Sequence, residues 1–151
     1  MENVLNTDVV CQIGLVVNDI IETGKNYSKF FGVELPPILD SGEDRIVKGE
    51  VFGERSDASC KLMFFDLANI QLELIQPDDK PSIWRNLLDE KGEGLHHIAF
   101  QVKDVDKKIK KLEEEGMNVV QTGNYADASG KFVYVDARDK LKTIIELLTS
   151  F

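Results

Sequence analysis

The chain is poor in the residues that build disulfide frameworks and thiolate metal clusters. Its 151 residues include two cysteines, two histidines, one tryptophan and four prolines. Cys11 and Cys60 lie in separate apolar runs and do not have the Cys-x-x-Cys spacing of zinc or redox motifs. We therefore predict two free, largely buried thiols and no disulfide.

Long apolar runs and excess positive charge are also absent. No stretch approaches the roughly 20 apolar residues of a membrane span, and the start Met1-Glu2-Asn3-Val4 lacks the pattern of a signal peptide. The 18 basic and 27 acidic residues give a net charge of −9, which disfavours nucleic acid and anionic membranes as partners. We expect a cytoplasmic protein. Arg138, Lys140 and Lys142 form the one candidate cluster for an anionic substrate, although a solvated loop is the simpler interpretation.

The length and the 42% hydrophobic content favour a single domain spanning residues 1–151. In the first half, Asp19 and Glu22 form a capping box that predicts a helix ending at Gly32. Alternating or continuous apolar runs predict strands over residues 11–17, 45–52, 60–67 and 70–76.

The second half repeats this order after a linker helix within residues 77–94, which begins at Pro81. The predicted elements are a strand over 95–102, a helix over 104–115 that stops at Gly116, and strands over 117–121, 131–137 and 143–148. Each half therefore reads as a βαβββ module.

Three aligned segments indicate that the two halves are copies. Gln12 to Asp19 matches His97 to Asp104, Lys61 to Asp66 matches Lys131 to Asp136, and Leu72-Glu73-Leu74 matches Ile145-Glu146-Leu147. Because the segments occur in the same order, we predict a duplicated module over residues 9–76 and 95–149.

Strand alternation then places four polar side chains on one concave surface, opposite the faces that pack against helices. These side chains are Gln12, Glu73, His97 and Glu146, and alternation assigns His96 to the helix-facing side and to structure. One imidazole, two carboxylates and one amide oxygen suit a divalent ion such as Zn, Co, Ni or Mn. Taken singly, each residue favours a core or groove role over a metal ligand: a lone strand histidine is often a core residue, Gln12 is a weak neutral ligand, and inward glutamates can line a wet groove. Their equivalence under the repeat favours the metal site.

Several motifs resemble one known family. They are Glu73-Leu74-Ile75-Gln76-Pro77, Pro81-Ser82-Ile83-Trp84, Gly92-Glu93-Gly94-Leu95-His96-His97-Ile98-Ala99-Phe100 and Ile145-Glu146-Leu147. The chain resembles the vicinal oxygen chelate superfamily of glyoxalases, epimerases and extradiol dioxygenases, and looks most like methylmalonyl-CoA epimerase. The resemblance implies an α+β glyoxalase-like fold, in which two tandem βαβββ modules pair into a curved mixed sheet with helices on its outer face. Homodimers are common in such proteins, so a homodimer is expected.

Two positions depart from the epimerase pattern. Those enzymes usually have histidine where this chain has Gln12, and their second catalytic glutamate has no clear counterpart, Glu54 being the nearest residue. The set Gln12, Glu73, His97 and Glu146 is instead similar to the metal ligands of glyoxalase I. A single histidine in the set argues against an iron dioxygenase.

The resemblance implies a divalent-metal-dependent isomerase or epimerase that abstracts a proton next to a carbonyl and stabilises the enolate. Glu146 is the first candidate for the catalytic base and Glu73 the second. The substrate would be a small molecule such as an acyl-CoA or a thiol adduct. The alternatives are a glyoxalase I-type lactoylglutathione lyase and a non-catalytic binding protein of the same superfamily, although we expect few aromatic side chains on the concave strand faces.

Overall fold

This computed structural model describes residues 2–42 and 45–151, so Met1 of the N-terminal stretch lies outside the described residues. The described residues contain ten strands and four helices. The strands are β1 Gln12–Val16, β2 Leu39–Asp40, β3 Ile46–Val51, β4 Glu54–Arg55, β5 Cys60–Asp66, β6 Gln71–Pro77, β7 Gly94–Gln101, β8 Asn118–Tyr125, β9 Gly130–Asp136 and β10 Ile144–Ser150. The helices are α1 Ile20–Phe31, α2 Ile83–Lys91, α3 Val105–Glu114 and α4 Arg138–Leu141. Among these helices, none has the length and apolar character that crossing a membrane requires.

Local capping chemistry sets where α1 and α2 begin. The Asp19 carboxylate accepts from the backbone N–H groups of Ile21 and Glu22, both at 3.0 Å, and Gly32 ends α1 with a left-handed φ of 68°. In α2 the Ser82 hydroxyl accepts from the Arg85 N–H at 2.9 Å, so the helix begins after Ser82 rather than at Pro81. The predicted helices are therefore present, with α2 shorter than the linker that contains it.

All ten strands of the described residues belong to one mixed sheet with the order β2-β5-β6-β1-β7-β10-β9-β8-β3-β4. At its centre β1 and β7 run antiparallel, with Gln12 opposite Ala99, Ile13 opposite Ile98 and Gly14 opposite His97. Under the repeat, Gln12 is equivalent to His97 and Gly14 to Ala99, so this register is symmetric about the pair Ile13 and Ile98. The two modules thus meet along a pseudo-twofold axis.

One strand of the first half crosses to the second. On its outer side β5 pairs with only the short β2, whereas β3 pairs antiparallel with β8 near the far end of the sheet. Ser41 joins the two regions, because its N–H donates to the Cys60 carbonyl at 2.9 Å and its carbonyl accepts from the Ile46 N–H at 3.4 Å. The sheet therefore curls into a half-barrel, a closure that the order of elements alone does not predict.

The helices divide the apolar core into layers. On the convex side α1 covers an apolar cluster on β5 and β6, and α3 covers a second cluster on β9 and β10. These two helices occupy the outer face, as expected. The linker helix α2 lies instead on the concave side, where Trp84 packs with Phe132 and Tyr134. Consequently α2 forms one wall of the concave space.

Candidate metal centre

The four predicted ligand residues come from the four central strands of the sheet. Gln12 lies on β1, Glu73 on β6, His97 on β7 and Glu146 on β10, and each side chain points into the concave space. Glu73 lies beside Gly14 and Glu146 beside Ala99, so the two carboxylates occupy equivalent registers in the two modules. The four residues are at most 6% exposed. The structure thus brings together every residue of the predicted set.

The polar atoms of this set converge on one point. His97 Nε2 lies 2.8 Å from Gln12 Oε1, 2.9 Å from Glu146 Oε2 and 3.3 Å from Glu73 Oε2. An ion with bonds of about 2.1 Å separates neighbouring octahedral ligand atoms by about 3.0 Å. The Glu73, His97 and Glu146 ligand atoms lie within 4.8 Å of one another, as a shared divalent ion requires. These residues fit a metal ion with N/O ligands; that they bind one stays a prediction.

Two buried carboxylates control the protonation of His97. Burial by itself lowers the pKa of this imidazole, but the adjacent Glu146 and Glu73 outweigh burial and raise the pKa to about 10. Burial raises the pKa of Glu73, and the neighbouring Glu146 raises it further. Without metal, a proton on His97 therefore compensates the carboxylates. A metal ion must displace that proton when it binds.

The orientation of the Gln12 amide depends on a chain of hydrogen bonds that leads out of the site. The Gln71 amide donates to Asp66 at 2.8 Å, and Gln71 Oε1 accepts from Gln12 Nε2 at 2.7 Å, which directs Gln12 Oε1 inward. Rotating the Gln12 amide would instead let its nitrogen donate to Glu146 at 2.9 Å and Glu73 at 3.0 Å. An inward oxygen suits a site that holds a cation, and an inward nitrogen suits the metal-free carboxylates.

Gly14 leaves the space that the His97 ring occupies. A Cβ at position 14 would overlap the Cε1, Nδ1 and Nε2 atoms of His97, which lies directly opposite on β7. The sequence contained a signal for this contact, since a glycine inside a strand often marks a close approach by another group. The alignment of the two halves identifies Gly14 only as the equivalent of Ala99.

The prediction that His96 faces the helix layer is wrong. Gly14 pairs with His97 but Leu15 pairs with Leu95, so His96 is the extra residue of a β-bulge in β7. A bulge interrupts the alternation of side chains, and His96 therefore lies on the concave side. Its ring centroid is 5.2 Å from that of His97.

An adjoining cavity of about 300 Å³ could receive a small molecule. Its walls include five aromatic residues that sequence analysis did not assign to the site, so the expectation of few aromatics on the concave face is wrong; they are Phe64, Trp84, Tyr125, Phe132 and Tyr134. The repeat offered a signal, because Phe64 and Tyr134 are equivalent positions. The Tyr134 hydroxyl accepts from Trp84 Nε1 at 3.0 Å, and burial raises the pKa of Tyr134 well above its usual value.

Charged residues proposed for other parts of the site lie elsewhere. Arg138 binds the Asp136 carboxylate at 2.7 Å, and neither it, Lys140 nor Lys142 lines the cavity. Glu54 is exposed on β4 and also lies outside the cavity lining. Within the described residues, no lysine or arginine contributes to that lining.

Fold and site together define the class of protein. The family model of the Glyoxalase/Bleomycin resistance protein/Dioxygenase superfamily matches residues 11–135. The chain belongs to this superfamily, which confirms the sequence-based resemblance.

The individual proteins that the chain resembles share only a small part of its sequence. The chain is 29% identical over 92 residues to the uncharacterized protein YqjC of Bacillus subtilis; this match covers 60% of the chain and 66%, just under two thirds, of that relative. It is similar in structure to methylmalonyl-CoA epimerase from Mycobacterium tuberculosis, with a TM-score of 0.64, 20% identity and coverage of 100% and 93% of the two chains. A Streptomyces coelicolor methylmalonyl-CoA epimerase in complex with 2-nitronate-propionyl-CoA gives a TM-score of 0.63, 22% identity and coverage of 94% and 96%. At these identities the structural likeness shows the fold.

Proposed function

We propose that this protein is a divalent-metal-dependent isomerase that moves a proton at a carbon next to a carbonyl, as an epimerase does. The observation that carries this proposal is the convergence of Gln12, Glu73, His97 and Glu146 on one buried point beside a cavity. Membership of a superfamily with epimerase structural neighbours supports it. The donor set suits Co, Zn, Ni or Mn.

Each residue of the site has a role in this chemistry. When bound, the metal would supply a Lewis acid that stabilises an enolate oxygen, a contribution of several kcal/mol. Gln12 and His97 would hold the ion. Glu146 would take the proton from one face of the carbon and keep it, and Glu73, on the other side of the pseudo-twofold axis, would supply its own proton to the opposite face.

The size of the cavity limits which part of a substrate enters it. A volume of about 300 Å³ lies at the low end for small-molecule sites, so an acyl group would enter while a carrier as large as CoA would stay outside. The acyl-CoA ligand of the Streptomyces coelicolor epimerase supports an acyl-CoA substrate. A thiol adduct meets the same size requirement.

The charge of the site favours glyoxalase I-type chemistry as a second candidate. Glu73 and Glu146 together carry two negative charges, which a divalent ion only neutralises, and no described lysine or arginine lines the cavity. A substrate with its own carboxylate beside the reacting carbon would therefore gain little from electrostatic attraction. The reacting hydroxy-ketone part of a thiol adduct is uncharged and would meet no such difficulty. The position of Glu54 outside the cavity also leaves no extra carboxylate for a two-base epimerase.

A metal-free binding protein is the third alternative, and the five aromatic residues of the cavity wall favour it. Such a protein would have no use for two carboxylates that meet an imidazole at 2.9 and 3.3 Å in a buried site. Metal dependence therefore separates this alternative from both enzymes.

A paired assay tests the proposal. Metal-stripped protein is loaded in turn with Co, Ni, Zn and Mn and is given methylmalonyl-CoA in deuterated water or the methylglyoxal–glutathione adduct. We expect metal-dependent deuterium exchange at the carbon next to the thioester; turnover of the adduct alone would select the glyoxalase candidate. Bound metal without activity on either substrate would overturn both assignments.

A further inference from the structure

We propose that His96 is a positioning residue that keeps the proton of His97 on Nδ1, so that the lone pair of His97 Nε2 faces the metal centre. The inference rests on the proposed metal centre and adds a residue to which sequence alternation gave no role in it. The observation that carries it is a buried chain of contacts from the backbone of α2 through both imidazoles.

The chain begins at a group that can only accept. His96 Nε2 lies 3.3 Å from the Ile83 carbonyl oxygen, so His96 Nε2 must carry the hydrogen. The other nitrogen of a neutral His96, Nδ1, is then an acceptor. His96 is 1% exposed, so its ring nitrogens lie out of contact with bulk water.

The second contact determines which ring nitrogen of His97 carries its hydrogen. His96 Nδ1 and His97 Nδ1 are 2.9 Å apart, and one of the two must donate. Because His96 Nδ1 is the acceptor, His97 Nδ1 carries its hydrogen. A neutral His97 then has its lone pair on Nε2, the atom that lies 2.8 Å from Gln12 Oε1 and 2.9 Å from Glu146. Metal-binding imidazoles commonly donate their other N–H in this way.

The surroundings hold both rings in place. The two imidazole planes are perpendicular, and the Tyr134 ring packs against both at centroid distances of 5.1 and 5.2 Å. Ile83 is fixed from its other side, because its N–H donates to the buried Gln121 side chain at 2.8 Å. The first residue of α2 is therefore a fixed reference point for the orientation of His97. The bulge in β7 makes the arrangement possible, since it puts consecutive histidines on one face.

Two substitutions separate hydrogen bonding from packing. In His96→Gln, the amide can accept from His97 Nδ1–H and donate to the Ile83 carbonyl, whereas His96→Met fills similar space without a strong donor or acceptor. We expect His96→Met to weaken zinc binding about 10–100-fold and His96→Gln to recover most of that loss, as measured by chelator competition. Equal affinity of the Met variant and the unsubstituted protein, or equal weakness of both variants, would overturn the proposal.

The unsubstituted protein provides a test that does not depend on whether a variant folds. In zinc-loaded, ¹⁵N-labelled protein we expect His97 to coordinate through Nε2 and to show an exchange-protected Nδ1–H that couples to the His96 ring. Coordination through Nδ1, or a proton on the His97 Nε2, would overturn the proposal. If zinc does not bind at all, the proposed metal centre fails; if zinc binds but the Nδ1–H is not found, only the role of His96 fails.

Discussion

The two modules supply the same backbone positions and different chemistry. Glu73 and Glu146 are neighbours of Gly14 and Ala99, which are equivalent under the repeat. At the other shared position the first module presents an uncharged amide, Gln12, and the second an imidazole, His97. The fold thus fixes where these four side chains lie, whereas the residue at each position would decide how strongly each half holds a metal ion.

The residues that orient Gln12 also differ from those that orient His97. Gln12 is oriented by a partly buried hydrogen bond to Gln71, which in turn donates to the exposed Asp66. His97 is oriented by His96 and a backbone carbonyl, all buried. Buried hydrogen bonds are electrostatically stronger than exposed ones. We therefore expect the His97 side chain of the second module to keep its orientation and the Gln12 side chain of the first module to reorient more easily.

The largest effect should come from removing the imidazole. His97→Ala is expected to weaken binding of Co and Zn by more than about 100-fold, a larger loss than a supporting residue gives. The matched change Gln12→Ala should cause a clearly smaller loss, because a neutral amide is the weaker ligand. Chelator competition measures both, and an equal loss in the two variants would contradict the asymmetry between modules.

The pH dependence should follow the proton on His97. Its pKa of about 10 means that the imidazole is protonated at neutral pH in the metal-free protein. Metal requires the unprotonated form, so affinity should rise with pH, about tenfold per unit between about pH 6 and 9. Calorimetric titration in buffers of different ionisation enthalpy counts the released proton. An affinity independent of pH would show that His97 is not a ligand.

Equivalent small residues give a test of packing. Gly14→Ala places a methyl group in the space of the His97 ring and should destabilise the protein by about 1–3 kcal/mol. The equivalent change in the other module, Ala99→Gly, should lower the free energy of unfolding by only about 0.5–1 kcal/mol. Urea unfolding of metal-free protein compares them, and similar values would mean that the His97 ring can move aside.

The smallest effect should come from the exposed support of Gln12. Asp66→Asn removes the charge that orients Gln71, and we expect only about a threefold loss of zinc affinity, since exposed hydrogen bonds contribute about 0.5–1.5 kcal/mol. Lys61→Gln, an exposed change on the same strand, serves as the control. A loss of zinc affinity as large as that expected for His96→Met would contradict the contrast between exposed and buried orienting hydrogen bonds.

Strand alternation, helix capping and the internal repeat were sufficient to predict the four convergent side chains, eight of the ten described strands and three of the four described helices. They did not predict the short elements β2, β4 and α4. They failed where structure departs from regular alternation or depends on contacts distant in sequence. The bulge at His96 reverses the direction of one side chain, and its cause is the pairing of β7 with β1. The crossing of β3 to β8 depends on curvature of the whole sheet. The position of Trp84 follows from the packing of α2 on the concave face, which its amphipathic pattern does not specify.

The most direct test of the proposed metal centre is a titration of metal-stripped protein with Co²⁺, followed by visible absorption and by fluorescence of Trp84, the single tryptophan. We expect one ion per chain, absorption bands of nitrogen and oxygen coordination, and the loss of both signals in His97→Ala. No binding, or binding that His97→Ala leaves unchanged, would contradict that expectation.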